Sequence, residues 1–488
     1  MSLEFPKNPG FMGFNAPFRM NIDLHDAEHE GDIPTELNGH FYRIQPDFIY
    51  PPRFANDVPF NGDGNVTLFS FNNGHVDVKT HHVETQRYKA QASARKALFG
   101  TYRNPRTDMD EVKGLSGGTA NTNLVFHAGK LFALKEDSPP VQIDPYTLKS
   151  IDDYYTFGGK MTAKTFTAHP KIDPQTGEMI GIAYEAKGEA SKDVALYTID
   201  KNGEVIREAW IEVPYAGMIH DFAITETHIA ILCVPMAVNV EQMEQGGVHF
   251  AWDSSLPSYF GVVSRHGDGS DIRWYEGPEK CATHVMNGFN DGSKIIVDMD
   301  MATGNQFPFF PSLHEQFDLE RASGRLTRIT IDLADKDATT YQTEVMYPQI
   351  GVLPRTDERY WSRPYNVGFM PCMDPTKPRS ASMAGNVGMT INTWVRFDHD
   401  KGSAQTYFPG ENYTLQECQF VPKSADAPEG CGFLMGVANN FDTMLSELHI
   451  LDAENIAAGP VAKVKLPVRL RQGVHGHWVD QQQLDSAK

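Results

Sequence analysis

The stretch from Val194 to Val213, VALYTIDKNGEVIREAWIEV, decides the fold class. Apolar and polar residues alternate on both sides of a short polar turn that contains the pair Asn202 and Gly203. Alternation with a period of two is typical of a strand with one buried face, and Asn-Gly is a favoured pair for a tight turn between antiparallel strands. The stretch therefore predicts a β-hairpin.

The same plan recurs along the whole chain. Each copy has an alternating strand, a turn rich in Asn, Asp or Gly, and a second strand, and successive copies start about 54 to 67 residues apart. This spacing exceeds the roughly 40 to 50 residues of a common propeller blade, which leaves room for insertions. The seven copies start at Val66, Leu131, Val194, Tyr259, Arg325, Asn392 and Ser446.

Seven hairpins of this kind predict an all-β fold, and the simplest one is a seven-bladed β-propeller that forms a single domain over residues 1–488. Two stacked β-sandwich domains are the alternative. Two segments between strand units have helical character, Thr85 to Gly100 and Ser312 to Gly324. We expect them to form a small helical and loop dome over one face.

The net charge and the apolar runs of the sequence indicate which partners and which cellular compartment to expect. The 488 residues carry a formal net charge of −20, whereas a nucleic-acid partner requires a basic surface. The most apolar run, IAILCVPMAV from Ile229, is too short to span a bilayer and contains Pro235, and the start MSLEFPKNPGF lacks the apolar core of a secretory signal. We therefore expect a cytoplasmic protein that binds neither nucleic acid nor membrane.

Four of the 18 histidines lie in segments that enter a new strand. The innermost strands of a propeller converge on its axis, so imidazoles from several blades could meet at one point and hold a metal. The five cysteines show no CxxC spacing, so imidazole would have to be the ligand. The alternative for each histidine is a packed side chain bonded to a carbonyl. The four are His169, His220, His284 and His475.

At these residues the chain resembles the carotenoid cleavage oxygenases. The resemblance covers nearly the whole chain through the ordered motifs NGHFYRIQPDF, FNGDGNV, YRNPRTD, GGTANTNLVFHAGKLFAL, TAHPKIDPQTGE, MIHDFAITE, HVMNGF, QECQFVP and HGHW. It implies a seven-bladed propeller with a helical dome and one Fe(II) per chain on the propeller axis. It also implies a dioxygenase that splits an alkene with O₂. The implied iron ligands are His169, His220, His284 and His475, whereas His477 has no ligand role.

The resemblance also implies glutamates that accept a hydrogen bond from metal-bound imidazoles and so fix their orientation. Glu136 in LFALKED and Glu417 in LQECQFVP match two of these positions. Val352 stands where the family has a third glutamate. Glu358 is the nearest carboxylate; it either substitutes for that glutamate or is a surface residue.

Lys135 indicates the substrate class. Carotenoid-cleaving members carry an apolar or aromatic residue before the glutamate that Glu136 matches, and Lys135 with Tyr102 resembles the pair of the lignostilbene dioxygenase branch. This resemblance implies that the two residues engage the 4-hydroxyl group of a stilbene. Cleavage of the central alkene, through a dioxetane or a rearranged ester, then gives two aromatic aldehydes of the vanillin type. If the resemblance is disregarded, the simpler interpretation is that Lys135 is an exposed lysine at the end of a strand and that Tyr102 is a core residue.

Several further residues are candidates for contact with the substrate or with O₂. Phe60 and the cluster Phe307, Phe309 and Phe310 could sandwich aromatic rings or belong to the core, and Thr122 matches a family residue near the open iron position. The expected partners are a small aromatic alkene and O₂, and a dimer is expected. The alternatives are an apocarotenoid-cleaving dioxygenase and a non-catalytic propeller scaffold.

Overall fold

A computed structural model of the chain describes residues 3–278, 280–383 and 390–486. These residues form seven sheets of four or five strands and one sheet of two strands. The chain divides into two compact units, Met1–Tyr155 with Phe369–Lys488 and Thr156–Gly368.

The first unit holds three complete antiparallel sheets and three strands of a fourth. Gly476–Asp480, close to the end of the chain, pairs with Gly39–Asp47, so the first sheet joins distant parts of the sequence. The strands, each sheet in spatial order, are Ile22–Leu24, His75–His82, Asp63–Asn72, Gly39–Asp47 and Gly476–Asp480; Asn123–His127, Lys130–Leu134, Val141–Ile143 and Ser150–Asp152; His29–Gly31, Pro460–Lys465, Leu445–Asp452, Gly432–Asn440 and Tyr413–Pro422; and Val367–Met373, Thr393–Asp398 and Ser403–Tyr407.

The second unit holds three antiparallel four-stranded sheets, as well as a two-stranded sheet and two very short strands. In spatial order the strands are Lys171–Ile172, Met179–Ala183, Asp193–Ile199 and Val205–Glu212; Phe222–Ile224, His228–Cys233, Ser258–Ser264 and Arg273–Gly277; Cys281–Asp291, Lys294–Ala302, Arg325–Asp332 and Gln342–Val345; Met236–Val238 with Phe250–Trp252; and the short Ile350–Gly351 and Arg355–Thr356.

All seven predicted hairpins are present, and each consists of two paired strands of one sheet. The hairpin of the opening stretch pairs Asp193–Ile199 with Val205–Glu212, and Gly203 lies in the turn with a φ of 87°, a left-handed conformation that favours glycine. The prediction of repeated hairpins is confirmed.

Burial differs between the outer and inner strands. His75–His82 alternates between exposed and buried side chains, as expected for a strand with one solvated face. Every residue of Gly39–Asp47, Met179–Ala183 and Gly432–Asn440 is buried. The inner strands are therefore covered on both faces, and polar side chains on them need partners inside the protein.

The helices are few and short. The first predicted helix is confirmed in part: Gln86–Ala94 is helical, Thr85 caps it by accepting a hydrogen bond from the Tyr88 N–H, and it ends at Arg95, whose φ is 55°. Two further helices were not expected, Val240–Glu244 and Gln481–Ser486.

The prediction of a helix from Ser312 to Gly324 is wrong. The segment begins as an extended chain bridged to Trp252, and the Glu315 carboxylate accepts a hydrogen bond from the Trp252 indole while also pairing with Arg321. Leu313 and Leu319 are 43% and 69% exposed. The segment has no buried apolar face that would stabilise a helix, and its polar side chains hold it as a loop.

No helix among the described residues is long and apolar enough to cross a membrane.

Candidate functional site

Three histidines of the second unit converge. His220 Nε2 lies 3.1 Å from both His169 Nε2 and His284 Nε2. The ring centroids are 4.6 to 5.3 Å apart, and the ring planes are inclined to one another by 71 to 82°. We call His169, His220 and His284 the histidine cluster.

The histidine cluster fits a divalent transition metal. Imidazole nitrogens bind zinc at about 2.0 to 2.1 Å, so two ligands at a right angle lie about 3 Å apart. The observed separation of 3.1 Å matches this value. Neutral imidazoles without a carboxylate among them suit iron, zinc, copper or nickel rather than magnesium or calcium.

The backbone delivers two of these imidazoles just before a strand begins. His169 precedes Lys171–Ile172, and its N–H donates to the Thr167 hydroxyl at 2.9 Å. His220 precedes Phe222–Ile224. Both rings therefore lie on backbone that has not yet entered the regular hydrogen-bond ladder of the sheet.

His284 reaches the cluster from inside a strand because the ladder is interrupted there. The register of Cys281–Asp291 shifts on both sides of Val285, which is a β-bulge, a feature that redirects side chains. The carboxylate of Asp300 on the neighbouring strand accepts the N–H groups of Thr283 and His284, at 3.3 and 2.5 Å. Asp300 is fully buried, and burial raises the pKa of its carboxyl group.

His475 of the first unit is oriented by a carboxylate. Its Nδ1 lies 2.8 Å from Glu417 Oε1, and Glu417 Oε2 accepts the Gly476 N–H at 2.7 Å. Both side chains are buried. A hydrogen bond at Nδ1 directs Nε2 to act as the ligand nitrogen. Glu417 also lies at a β-bulge, where the register of its strand shifts between Leu415 and Cys418.

The segment before His475 is held by a buried arginine. The Arg43 guanidinium donates to the Gln416 side-chain oxygen at 2.7 Å and to the Arg471 carbonyl at 2.8 Å. The Gly473 N–H donates to the same Gln416 oxygen at 3.1 Å. Burial lowers the pKa of Arg43 to about 9. His477 lies in the following strand opposite Tyr42.

The predicted lysine and tyrosine lie together in the first unit. Lys135 Nζ is 5.1 Å from the centre of the Tyr102 ring, and both side chains are buried. The strand Lys130–Leu134 ends before Lys135, so Lys135 and Glu136 both lie in the turn, and Glu136 is also buried. We call Tyr102, Lys135 and Glu136 the lysine site.

Burial sets the protonation of the lysine site. Burial lowers the pKa of Lys135, and the carboxylates of Glu136 and Asp137 partly oppose this shift. Burial also raises the pKa of Tyr102 far above its ordinary value, although Arg103 acts in the opposite direction. The Tyr102 hydroxyl therefore keeps its proton and can donate a hydrogen bond.

Two further predicted residues lie beside the lysine site. The Thr122 N–H donates to the carbonyl of Leu134, the residue before Lys135, at 3.0 Å. The Thr122 hydroxyl bonds to the Asn121 side chain, whose amide group donates to the Phe60 carbonyl at 2.8 Å. Backbone and side-chain hydrogen bonds thus connect Thr122, Phe60 and the turn that carries Lys135.

A carboxylate that no motif predicted organises this region. Asp57 accepts the Tyr102 N–H at 3.1 Å and the Asn61 side-chain N–H at 2.6 Å, so it connects the loop of Tyr102 with the turn of Phe60. Its only sequence signal is its position three residues before the motif FNGDGNV. Burial raises the pKa of the Asp57 carboxyl group.

The remaining candidates lie in the second unit. Phe307 is half-buried, and its ring centroid is 5.8 Å from those of Phe309 and Phe310, so the three form one aromatic cluster. Glu358 forms an ion pair at 3.1 Å with Arg355, three residues earlier in the chain, rather than with an imidazole.

The chain is similar to known proteins over nearly its whole length. The model of the family described as "Retinal pigment epithelial membrane protein" matches residues 15–480. Lignostilbene-alpha,beta-dioxygenase isozyme III of Sphingomonas paucimobilis is 41% identical over 99% of both chains. Isoeugenol monooxygenase of Pseudomonas nitroreducens is 39% identical over 97% of this chain and 98% of that protein. The crystal structure of Pseudomonas brassicacearum lignostilbene dioxygenase superposes with a TM-score of 0.95 at 37% identity, covering 98% of this chain and all of the other.

The chain belongs to this family, the carotenoid oxygenase family that its motifs resemble. The likeness to the solved dioxygenase shows that the fold is a seven-bladed β-propeller, so this prediction is confirmed and the two-sandwich alternative is set aside.

The packing around Gly473 gives a prediction about stability. A Cβ atom on Gly473 would overlap the Arg43 guanidinium and lie close to the Gln416 side-chain oxygen. Gly473→Ala should therefore destabilise the protein by about 1 to 3 kcal/mol, as overpacking of a buried site does. Urea unfolding measures the loss. Gly117→Ala, where φ is not positive and a Cβ would meet the Phe99 ring only at 3.5 Å, is the control. A Gly473 variant as stable as the wild type would contradict the close approach.

Proposed function

We propose that the chain is a non-haem Fe(II) dioxygenase that uses O₂ to cleave the central alkene of a 4-hydroxystilbene into two aromatic aldehydes. The observation that carries the proposal is the buried lysine site, where Lys135 lies against Tyr102. The 41% and 37% identities to two lignostilbene dioxygenases over nearly the whole chain support the same substrate class.

Lys135 and Tyr102 would bind the 4-hydroxyl group of the substrate. The ammonium group stabilises the phenolate form and so lowers the pKa of the bound phenol, which is about 10 in water. The protonated Tyr102 hydroxyl donates a second hydrogen bond to the same oxygen. A phenolate para to the alkene raises the electron density of the C=C bond, which makes the alkene more reactive toward oxygen.

The proposed iron ligands are the histidine cluster together with His475. Glu417 fixes the ring of His475 through Nδ1, and we assign Glu136 the same role toward another ligand. Val352 leaves the third glutamate position apolar, and Glu358 is the nearest acidic substitute, although its carboxylate is paired with Arg355. Bound Fe(II) would supply an open coordination position at which O₂ is activated.

Aromatic and hydroxyl side chains complete the proposed site. Phe60 would pack against the hydroxylated ring, because hydrogen bonds connect it to the turn of Lys135. Phe307 would contact the second ring. Thr122 is assigned to the neighbourhood of the open iron position.

The two alternatives have less support. An apocarotenoid-cleaving dioxygenase would place a hydrocarbon chain opposite the buried Lys135. A non-catalytic scaffold would not require three imidazoles whose ring nitrogens approach to 3.1 Å.

The first test concerns the metal. Purified protein should hold about one iron per chain, and His169→Ala, His220→Ala, His284→Ala and His475→Ala should each lose it, because every ligand removed opens the site to water. Iron is measured by mass spectrometry of the desalted protein. His266→Ala, which changes an exposed histidine of the same protein, is the control. Full iron in two of the four variants would refute the ligand set.

Glu417→Gln should keep iron but bind it about 10- to 100-fold more weakly, because the amide no longer holds the His475 ring by a charged hydrogen bond. Competition with a chelator measures the affinity. An unchanged affinity would remove Glu417 from the proposed site.

The second test concerns substrate choice. A 4-hydroxystilbene should be cleaved and its 4-methoxy analogue should not, since methylation leaves Lys135 and Tyr102 facing an ether that carries no ionisable proton. A site built for a hydroxyl group can reject such an analogue by about 10⁴-fold. Aldehyde formation under air is measured for both stilbenes, for isoeugenol and for a β-apocarotenal.

Lys135→Met should lower kcat/KM mainly through kcat, because the charge acts most strongly as electron density moves onto the alkene. Lys130→Met, at the start of the same strand and partly exposed, is the matched control. Equal cleavage of the two stilbenes, or faster cleavage of the apocarotenal, would contradict the stilbene proposal and favour a carotenoid-cleaving enzyme.

The third test uses pH. The pKa of Lys135 is lowered from its ordinary 10.5, so the ammonium form is present below the lowered pKa and is lost as the pH rises through it. The value of kcat/KM should fall on the alkaline side with an apparent pKa below 10.5, and Lys135→Met should lack this limb. Ionisation of the substrate affects the wild type and Lys135→Met equally, so a difference between their two pH profiles reports the ionisation of Lys135. The same alkaline limb in both proteins would show that Lys135 does not titrate in the reaction.

A further inference from the structure

One carboxylate of the second unit contacts the chain beside all three members of the histidine cluster. Asp221, which directly follows His220, accepts the Phe222 N–H at 2.8 Å. Its other oxygen accepts the Val285 N–H, next to His284, at 2.8 Å. Lys171, two residues after His169, places its ammonium 2.7 Å from the first oxygen.

The Lys171–Asp221 pair is shielded from solvent. The Asp221 side chain is 2% exposed and that of Lys171 is 10% exposed. The ammonium also lies 5.6 Å from the centre of the Trp361 indole and 5.9 Å from that of the Phe222 ring, which are distances at which an aromatic face attracts a cation. The pair is therefore a fixed element of the interior rather than an exposed ion pair whose side chains exchange with water.

The contacts of Asp221 link the three segments that carry the histidine cluster. His169, His220 and His284 lie on segments far apart in sequence, and each is joined to the same carboxylate within two residues of its imidazole. The Val285 N–H lies in the β-bulge, so it has left the regular ladder and needs another acceptor. Removing the carboxylate would free the three segments to move relative to one another.

We propose that Asp221, paired with Lys171, is a positioning residue that sets the spacing of the three imidazoles and thereby the metal affinity of the histidine cluster. This inference rests on the proposed function only in taking the cluster as the metal site. Neither residue touches the metal or the substrate; both act through the backbone beside the histidines.

The test uses Asp221→Asn, Lys171→Met and the double variant of the full-length protein. Asparagine keeps the size of the side chain but cannot both pair with the ammonium and accept two N–H groups. Metal-free protein is titrated with Co²⁺, whose visible absorption reports the ligand geometry. We expect Asp221→Asn to bind Co²⁺ about 10- to 100-fold more weakly with an altered spectrum, which is the range for losses of groups that orient metal ligands.

Lys171→Met should show a loss of the same kind, and the double variant should be no weaker than Asp221→Asn alone. Residues that act through one contact are not additive in their effects. Additive losses would show that Lys171 and Asp221 act separately and would refute the pair as the positioning element.

A second readout needs no metal. Hydrogen exchange followed by mass spectrometry on metal-free protein should show faster exchange in the peptides covering 217–225 and 281–290 of Asp221→Asn. The matched control is Glu185→Gln, a buried carboxylate of the same unit that pairs with His249 at 2.9 Å and accepts the Ala190 N–H at 2.7 Å. The control should leave exchange in both peptides and Co²⁺ affinity at the wild-type level.

The outcomes separate the two proposals. Wild-type Co²⁺ affinity, spectrum and exchange in Asp221→Asn would overturn the positioning role even if the wild-type protein holds iron. A wild-type protein that binds no metal would refute the proposed function, while faster exchange in Asp221→Asn would still support the structural part of the inference. Equal losses in Glu185→Gln would show a general loss of stability and would also overturn it.

Discussion

The site depends on one constraint: a buried backbone N–H that leaves the strand ladder must find another acceptor inside the protein. Carboxylates meet this requirement next to His220, His284 and His475, whereas the Thr167 hydroxyl meets it for the His169 N–H. Asp300 accepts two such groups at the bulge of His284, Asp221 accepts those of Phe222 and Val285, and Glu417 accepts the Gly476 N–H beside His475. Asp57 does the same for the Tyr102 N–H. The irregular backbone that aims the functional side chains is therefore stabilised by acidic residues.

The imidazoles and the carboxyl groups of this region have different roles. The ring nitrogens of the histidine cluster approach to 3.1 Å, which suits a cation held by neutral donors. The carboxyl groups in these contacts accept N–H groups of the backbone or, for Glu417, also bond to the far nitrogen of an imidazole, so their oxygens are occupied and do not compete with the imidazoles for a metal. A site of this kind keeps coordination positions open, which carboxylate ligands with two oxygens could otherwise occupy.

The sequence predicted the outer hairpins because their strands keep one solvated face and therefore alternate, as His75–His82 does. It did not predict the inner strands, because strands such as Gly432–Asn440 are buried on both faces and show no alternation. The helix expected from Ser312 to Gly324 failed because composition cannot reveal that Glu315 is held by the Trp252 indole. The positions of the four histidines and the motifs around them predicted a metal site. The roles of Asp221 and Asp300 were not predicted, because a side chain that accepts N–H groups from another strand produces no recognisable pattern in the sequence.

Lys135 shows how the fold and the choice of substrate are connected. Burying its ammonium group costs free energy, which the carboxylates of Glu136 and Asp137 and the face of the Tyr102 ring offset only in part, since its pKa stays lowered. A hydrocarbon polyene bound beside it would supply no hydrogen-bond acceptor for the ammonium group. A phenol oxygen supplies an acceptor and gains a stabilised negative charge in return. Under the proposed function, the residue whose burial costs stability is thus the one that would favour a hydroxylated aromatic alkene over a carotenoid.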